Sequence, residues 1–91
     1  MRLEKTKFDN CKLVIDELDI PVAMQVDGDI MYRITDLVSV TASECAGTGI
    51  TQSGIGIIVR FRRDKVDCLF GVYVPNTHEF GYLKESQITK I

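Results

Sequence analysis

The sequence predicts a single all-β domain built from short antiparallel strands. Apolar and polar residues alternate over much of residues 20–34 and 55–74, and a period of two is typical of strands with one buried face. Breaks rich in Gly, Asp, Asn and Ser separate these runs, as turns do. The 91 residues, 45% hydrophobic and 26% charged, have the composition of a globular domain with one core.

The N-terminal part begins with residues 1–10, which show no clear period. Residues 11–18, CKLVIDEL, fit a short strand with Leu13 and Ile15 directed inward, although a helical turn is an alternative. Pro21 favours a strand start or an edge strand, because proline has no backbone N–H to donate to a neighbouring strand.

Residues 20–34 are predicted to form a hairpin, because they alternate on both sides of an Asp-Gly-Asp break. A two-residue Asp-Gly turn would pair Val22 with Arg33 and split the apolar set. We prefer a three-residue loop at residues 27–29, since it pairs the apolar side chains with one another: Val26 with Ile30, Met24 with Tyr32, and Val22 with Ile34.

Residues 55–74 are predicted to form a longer hairpin with its loop at residues 62–65. In that register four apolar pairs share the buried face: Phe61 with Val66, Val59 with Cys68, Ile57 with Phe70, and Ile55 with Val72. The other face would carry Gly56 opposite Gly71, Arg60 opposite Asp67, and Ile58 opposite Leu69.

Ile58 and Leu69 would then lie on a face that the alternation directs towards water, so an apolar layer is expected to cover them. One candidate is the N-terminal segment, through Phe8, Leu13 and Ile15. The other candidate is a second copy of the chain, which would make a homodimer. We favour the N-terminal segment.

The remaining predicted elements are short. They are a strand at 37–41 with Val38 and Val40 inward, a long loop rich in Gly, Ser and Thr at 42–54, a strand at 80–83, a helical turn at 84–87 and a last strand at 88–91. A long loop in so small a domain is often functional, although a wide hairpin would also need one.

The segments DLVSVTAS, GIGIIVRF and YLKESQITKI together resemble the opening strand, the glycine-containing second strand and the closing 3₁₀ turn and strand of small SH3-like barrels, such as the KOW-like and photosystem-accessory types. The resemblance implies an SH3-like barrel of five to seven strands over residues 34–91, with residues 1–33 forming an N-terminal extension and hairpin. It implies a fold and not a ligand, because such folds host many functions.

The sequence contains no motif that predicts an enzyme, a metal site or a cofactor. GTGITQSG does not match a phosphate-binding loop, and the one histidine, His78, lies in a turn-rich segment. The three cysteines include no CxxC pair, and an odd number disfavours a disulfide framework. We predict that Cys68 is a core thiol and that Cys45, in the long loop, is the candidate for an exposed thiol.

The most prominent charged feature is the run Arg60, Arg62, Arg63 and Lys65 at the predicted hairpin tip. Such a tip could contact phosphates or an acidic protein. Three features disfavour nucleic acid, so a solvated loop with internal ion pairs is the preferred interpretation of the run: acidic residues interleave with it, the net charge is −2, and the sequence shows no aromatic platform beside the tip on which bases would stack.

These observations predict a small non-catalytic protein-interaction module, an adaptor or inhibitor, of viral or mobile-element origin. The alternative is a nucleic-acid or ribonucleoprotein-associated module that uses the Arg60–Lys65 tip. The residues assigned to partner binding are Arg60, Arg62, Arg63, Lys65, Ile58 and Leu69. No apolar run approaches the ~20 residues that cross a bilayer, and no targeting segment is recognised, so the predicted location is cytoplasmic without membrane contact.

Overall fold

The computed structural model describes residues 2–5, 11–26, 30–63 and 68–91. This part of the chain contains nine strands: β1 (Arg2–Lys5), β2 (Cys11–Ile15), β3 (Pro21–Val26), β4 (Ile30–Arg33), β5 (Leu37–Val40), β6 (Gly54–Arg63), β7 (Cys68–Val74), β8 (Glu79–Leu83) and β9 (Ile88–Lys90). A single 3₁₀ turn in the described ranges, Glu85–Gln87, joins β8 to β9. The predicted all-β class and the 3₁₀ turn near the C-terminus are confirmed.

The strands form two antiparallel sheets that face each other. The N-terminal sheet has the strand order β1-β2-β3-β4, and the C-terminal sheet has the order β8-β7-β6-β5-β9. The sheets are not closed into the barrel that the resemblance implied. The inner faces of both sheets supply one hydrophobic core. The C-terminal sheet therefore buries its inner face against a second sheet, and closure on itself is not needed to exclude water from its core.

The N-terminal sheet follows the prediction closely. Leu13 and Ile15 are buried on β2, and β3 begins at Pro21. The pairings Val26 with Ile30 and Met24 with Tyr32 are those predicted, and the Ile34 amide donates to the Val22 carbonyl at 3.3 Å. The strand β1 was not predicted. The predicted loop at residues 27–29 and the predicted contact of Phe8 lie outside the described residues.

The register predicted for the hairpin of β6 and β7 is wrong. Phe61 pairs with Phe70, four residues beyond its predicted partner Val66, and a β-bulge between Ile58 and Arg60 then shifts the pairing by one residue, so that Ile58 pairs with Val72 and Ile57 with Tyr73. A bulge adds one residue to one strand and so exchanges the inner and outer faces beyond it. The side chains of Ile55 and Val59 are consequently exposed, at 54% and 40%, and Ile57 is half-buried. The predicted partners Val66 and Asp67 lie outside the described residues.

The predicted outward pair of Ile58 and Leu69 is also wrong, because the two residues do not pair with each other and lie on opposite faces. Ile58 is fully buried and belongs to the same core cluster as Leu13 and Ile15 of the N-terminal sheet. Leu69 lies opposite Arg62 and is half-buried on the other face. The expected cover by the N-terminal part of the chain therefore exists for Ile58, but Leu69 does not share it.

Tyr32 links the two sheets at the centre of the core. Its ring lies 4.8 Å from the ring of Phe70, centroid to centroid, and its hydroxyl donates to Glu85 Oε2 at 3.1 Å. Lys90 Nζ lies 5.5 Å from the same ring and donates to the Met31 carbonyl. The C-terminal turn and β9 thus hold β4, an edge strand of the other sheet, by polar contacts.

The environment of Tyr32 predicts an alkaline loss of stability. Burial, and then the hydrogen bond and negative charge of Glu85, raise its pKa to about 12. The pKa of Tyr32 is thus higher in the folded chain than its unfolded value of about 10. The stabilisation of the fold by the protonated Tyr32 hydroxyl is therefore fully present below pH ~10 and is lost as the pH rises towards 12. In urea titrations, Tyr32→Phe should be less stable than the wild type by about 0.5–1.5 kcal/mol at pH 8, and this difference should shrink at pH 11. An unchanged difference would contradict the assignment.

Residues 41–53, which span most of the predicted long loop, pack against the body of the domain. Cys45 is fully buried and Ile50 is nearly so. Cys45 is therefore not the exposed thiol that the sequence predicted, and its burial raises the pKa of the thiol, which lowers its reactivity. At the other end of the loop, the Thr51 amide and hydroxyl donate to the Glu79 carboxylate on β8.

Cys11 on β2 is disulfide-bonded, whereas Cys45 is a free thiol. The odd number of cysteines disfavoured a disulfide framework, but it is compatible with one disulfide and one free thiol. The prediction that Cys68 is a core thiol concerns a side chain outside the described part of the chain. No helix among the described residues is both long and apolar enough to cross a bilayer.

Candidate functional site

The outer face of the C-terminal sheet carries a continuous line of apolar side chains across four strands and the residue that follows the fifth. Phe80 on β8 pairs with Tyr73 on β7, Tyr73 pairs with Ile57 on β6, and Ile57 pairs with Leu37 on β5. The Ile91 amide, directly after β9, donates to the Leu37 carbonyl at 3.3 Å. These five residues, Phe80, Tyr73, Ile57, Leu37 and Ile91, are termed the apolar row.

The apolar row is accessible to solvent. Phe80, Leu37 and Ile91 are exposed at 38%, 48% and 67%, and Ile57 and Tyr73 are half-buried. With strands about 4.8 Å apart, a line across five strands extends roughly 19 Å. Ile55, exposed at 54%, lies two residues from Ile57 on the same face. This contiguous apolar surface makes the row a candidate interaction site.

Two arginines border the row at its β8 end. The Arg60 guanidinium carbon lies 5.7 Å from the Phe80 ring centroid, and that of Arg62 lies 5.2 Å from the Tyr82 ring centroid. The two rings meet edge to face at 5.2 Å, and Arg60 Nη1 lies 3.5 Å from the Tyr82 hydroxyl. This group of four residues, Arg60, Arg62, Phe80 and Tyr82, is termed the arginine border.

The local sequence explains why these side chains meet. Phe80 and Tyr82 flank Gly81, so the alternation of β8 directs both rings to the same face. The bulge at Val59 lets Ile57, before it, and Arg60, after it, both point outward. Gly71 lies between Arg60 and Tyr82 in the pairing, and a Cβ there would come within 2.5 Å of Arg60 Cγ. Glycine at this position therefore lets the arginine lie across the sheet.

His78 lies beside the apolar row, in the turn between β7 and β8. Its Nδ1 lies 2.9 Å from the Tyr73 hydroxyl, and its backbone adopts a positive φ of 55° in the turn between β7 and β8. Histidine tolerates this left-handed conformation better than β-branched residues do. Within the described ranges, no group of three or more His, Cys, Asp or Glu side chains could hold a metal ion.

The structure brings together some of the residues that the sequence assigned to partner binding. Arg60 and Arg62 are exposed neighbours on the outer face, and Leu69 lies beside them opposite Arg62. Ile58 is in the core, so it is removed from the candidate site. The Arg63 side chain and all of Lys65 lie outside the described residues, and their predicted role stays a prediction.

Sequence reasoning missed the aromatic part of the surface. It found no aromatic platform beside the predicted hairpin tip, yet Tyr73, Phe80 and Tyr82 converge on one face. The spacing of Phe80 and Tyr82 around Gly81 was a usable signal, since residues two apart on a strand share a face. The contribution of Tyr73 had no such signal, because it depends on the pairing of β7 with β8.

Comparison of the chain with protein-family models, with curated proteins and with solved structures found no match. A function for this chain is therefore inferred from the geometry of the outer face.

Proposed function

We propose that this chain is a small non-catalytic protein-binding module, an adaptor or inhibitor, whose contact surface is the apolar row with its arginine border. The observation that carries the proposal is the contiguity of exposed and half-buried apolar side chains from four strands of one sheet and from Ile91, directly after the fifth strand. Aromatic residues and arginine are enriched in protein interfaces, and acidic residues are depleted there. The row and border contain two tyrosines, a phenylalanine and two arginines, and no acidic residue.

The charge of the border specifies the chemistry of the partner. Arg60 and Arg62 are exposed and lie over aromatic rings, which leaves the edges of their guanidinium groups able to donate hydrogen bonds outward. A complementary protein would place apolar side chains on the row and carboxylates at the border. Charge pairs at the rim of an interface mainly change the association rate, so binding should weaken moderately with salt.

The order of elements in the C-terminal sheet supports the SH3-like resemblance as part of this proposal. The strand β5, a long loop, the hairpin of β6 and β7, the short strand β8, the 3₁₀ turn and β9 follow one another as the resemblance implies. The last strand pairs with the first, β9 with β5. We propose that residues 34–91 are an open SH3-like unit that the N-terminal sheet covers on its inner face.

The binding proposal predicts that a charge placed in the row abolishes capture of the partner. Leu37→Glu introduces a carboxylate within the row, between Ile57 and Ile91, at a position that is already 48% exposed, so the fold should persist. The matched control is Leu18→Glu, because Leu18 is also apolar, is 78% exposed and lies in the turn between β2 and β3. The measurement is affinity capture from cells that make the protein, with the amount of each captured protein quantified by mass spectrometry for the wild type, Leu37→Glu and Leu18→Glu.

The expected result is that proteins captured by the wild type are retained by Leu18→Glu and reduced at least tenfold with Leu37→Glu, since an unpaired charge in an apolar interface is strongly unfavourable. Equal capture by both variants would exclude the row as the contact surface. Light scattering on the purified chain distinguishes the case in which a second copy occupies the row, since Leu37→Glu would then convert a dimer into a monomer.

The alternative function is binding of single-stranded nucleic acid at the arginine border. It is favoured by one observation, the pairing of exposed arginines with the rings of Phe80 and Tyr82, because cations beside aromatic faces suit phosphates and bases. This function predicts retention on a single-stranded DNA column that falls steeply with salt and is lost in the Arg60→Glu, Arg62→Glu double variant. Wild-type elution at the lowest salt would remove nucleic acid from consideration.

A further inference from the structure

A recess lies on the outer face of the N-terminal sheet, on the opposite side of the domain's core from the apolar row. It has a volume of about 440 Å³, within the range of ~300–1,000 Å³ that small-molecule sites occupy. Five of its six lining residues are apolar, and the sixth is an arginine: Val14, Val22, Ala23, Met31, Ile34 and Arg33.

The recess exists because a small residue and a bulge coincide in the central strands. Ala23 on β3 lies between Val14 on β2 and Arg33 on β4 in the pairing, and its side chain is a single methyl group among longer neighbours. A bulge between Val14 and Ile15 places the extra residue, Val22, beside it. The result is a shallow apolar floor with taller side chains around it.

The ionisable side chains at the outward positions of β2, β3 and β4 are both cations. Arg33 is exposed at the edge of the recess, and Lys12 lies in the adjacent line of the sheet, opposite Gln25. The carboxylate of Asp36, three residues from Arg33, accepts a hydrogen bond from the Arg33 amide and lies 3.6 Å from Lys90 Nζ, so it already has cationic and amide partners. An anion at the recess would therefore meet positive charge on a chain whose net charge is −2.

We propose that this recess binds a small organic carboxylate with an aliphatic body, the chain lying over Ala23 and the carboxylate hydrogen-bonded to the Arg33 guanidinium. Five apolar walls select the aliphatic body. A planar guanidinium matches the two oxygens of a carboxylate in geometry and charge. The site lies on a different sheet from the proposed protein-binding surface, so the two can be tested separately.

The experiment is an NMR titration of the ¹⁵N-labelled chain with octanoate, with 1-octanol as the uncharged probe of the same length. Octanoate should shift the amide signals of Val14, Ala23 and Met31 in a saturable way. Arg33→Gln should weaken this binding roughly tenfold or more, as expected for loss of a charge-assisted hydrogen bond. Octanol should bind the wild type more weakly than octanoate does.

Two further variants keep the test specific. Ala23→Leu should fill the floor and abolish the shifts, and its spectrum before addition of octanoate reports whether it is folded. Arg62→Gln, which removes an exposed arginine from the other sheet, should bind octanoate as the wild type does. The proposal is overturned if octanoate produces no saturable shifts, if the shifts lie on the apolar row, or if Arg33→Gln binds octanoate as tightly as the wild type.

Discussion

Replacing Phe70 by alanine should lower the free energy of unfolding by about 3–5 kcal/mol, the usual cost of removing a buried aromatic side chain. Phe70 has no exposed surface. Its ring packs at 4.8 Å against Tyr32 of the N-terminal sheet and at 5.7 Å against Phe61 of its own sheet. Loss of the ring leaves a cavity where the two sheets meet. The expected cost is large because the total free energy of unfolding of a native domain is only about 5–15 kcal/mol.

The matched control is Phe80→Ala, because Phe80 is the same residue type on the outer face and is 38% exposed. We expect it to cost about 1 kcal/mol, from partial burial and the contact with Tyr82. Urea denaturation followed by circular dichroism measures both. Similar losses in the two variants would mean that the inner and outer faces of the C-terminal sheet are wrongly assigned.

Replacing Gly49 by alanine should cost about 2–4 kcal/mol, from an unfavourable backbone conformation together with a steric clash. Gly49 has a φ of +102°, and a Cβ there would lie 2.6 Å from the Phe80 carbonyl oxygen. That oxygen belongs to the backbone of β8 and cannot rotate away. Gly81 makes the reciprocal contact, since a Cβ there would lie 2.5 Å from the Thr48 carbonyl oxygen.

Gly47 provides the control that separates the two causes. Its φ of +81° is also in the left-handed region, but a Cβ there would meet nothing within 4 Å. Gly47→Ala should therefore cost only about 1–2 kcal/mol of backbone strain. The difference between the variants in denaturant melts measures how tightly the loop packs against β8, and equal costs would show that the two backbones do not approach as described.

Several elements were predictable because neighbouring residues determine them. The hairpin of β3 and β4 follows from alternation on both sides of a short polar break, since only one loop length pairs Met24 with Tyr32. Val38 and Val40 are buried as their spacing indicated. In these segments every second residue is apolar, and every second side chain of a strand points to the same face, so the sequence pattern identifies the buried face directly.

The hairpin of β6 and β7 was not predictable in the same way. Residues 55–61 contain apolar side chains at nearly every position, so two registers bury similar amounts of apolar surface. The observed pairing of Phe61 with Phe70 differs from the predicted one by four residues, and the bulge at Val59 then exchanges the faces of residues 55–58. Because of the bulge, Ile58 and Phe61 are both buried, although they are three residues apart and a regular strand would direct them to opposite faces. A Cβ at position 56 would lie 2.4 Å from Val72 Cγ1. Gly56 thus lies on the inner face, where the space is too small for a larger residue.

The candidate site was only partly predictable for a related reason. Arg60 and Arg62 were recognised as a charged run, but the rings beneath them come from β8, about twenty residues further along the chain. Their convergence depends on β7 lying between β6 and β8. Ile91 joins the row only because β9 pairs with β5. Local sequence patterns do not specify such pairings.

The central claim, that the apolar row is the protein-binding surface, is tested most directly by carbene footprinting of the chain alone and in the complex captured from its cells. Carbenes label accessible side chains regardless of their chemistry. We predict that labelling of Leu37, Phe80 and Ile91 falls at least severalfold in the complex, while labelling of Leu18, the most exposed of these apolar residues at 78%, is unchanged. Protection of Leu18 with continued labelling of the row would contradict the proposal.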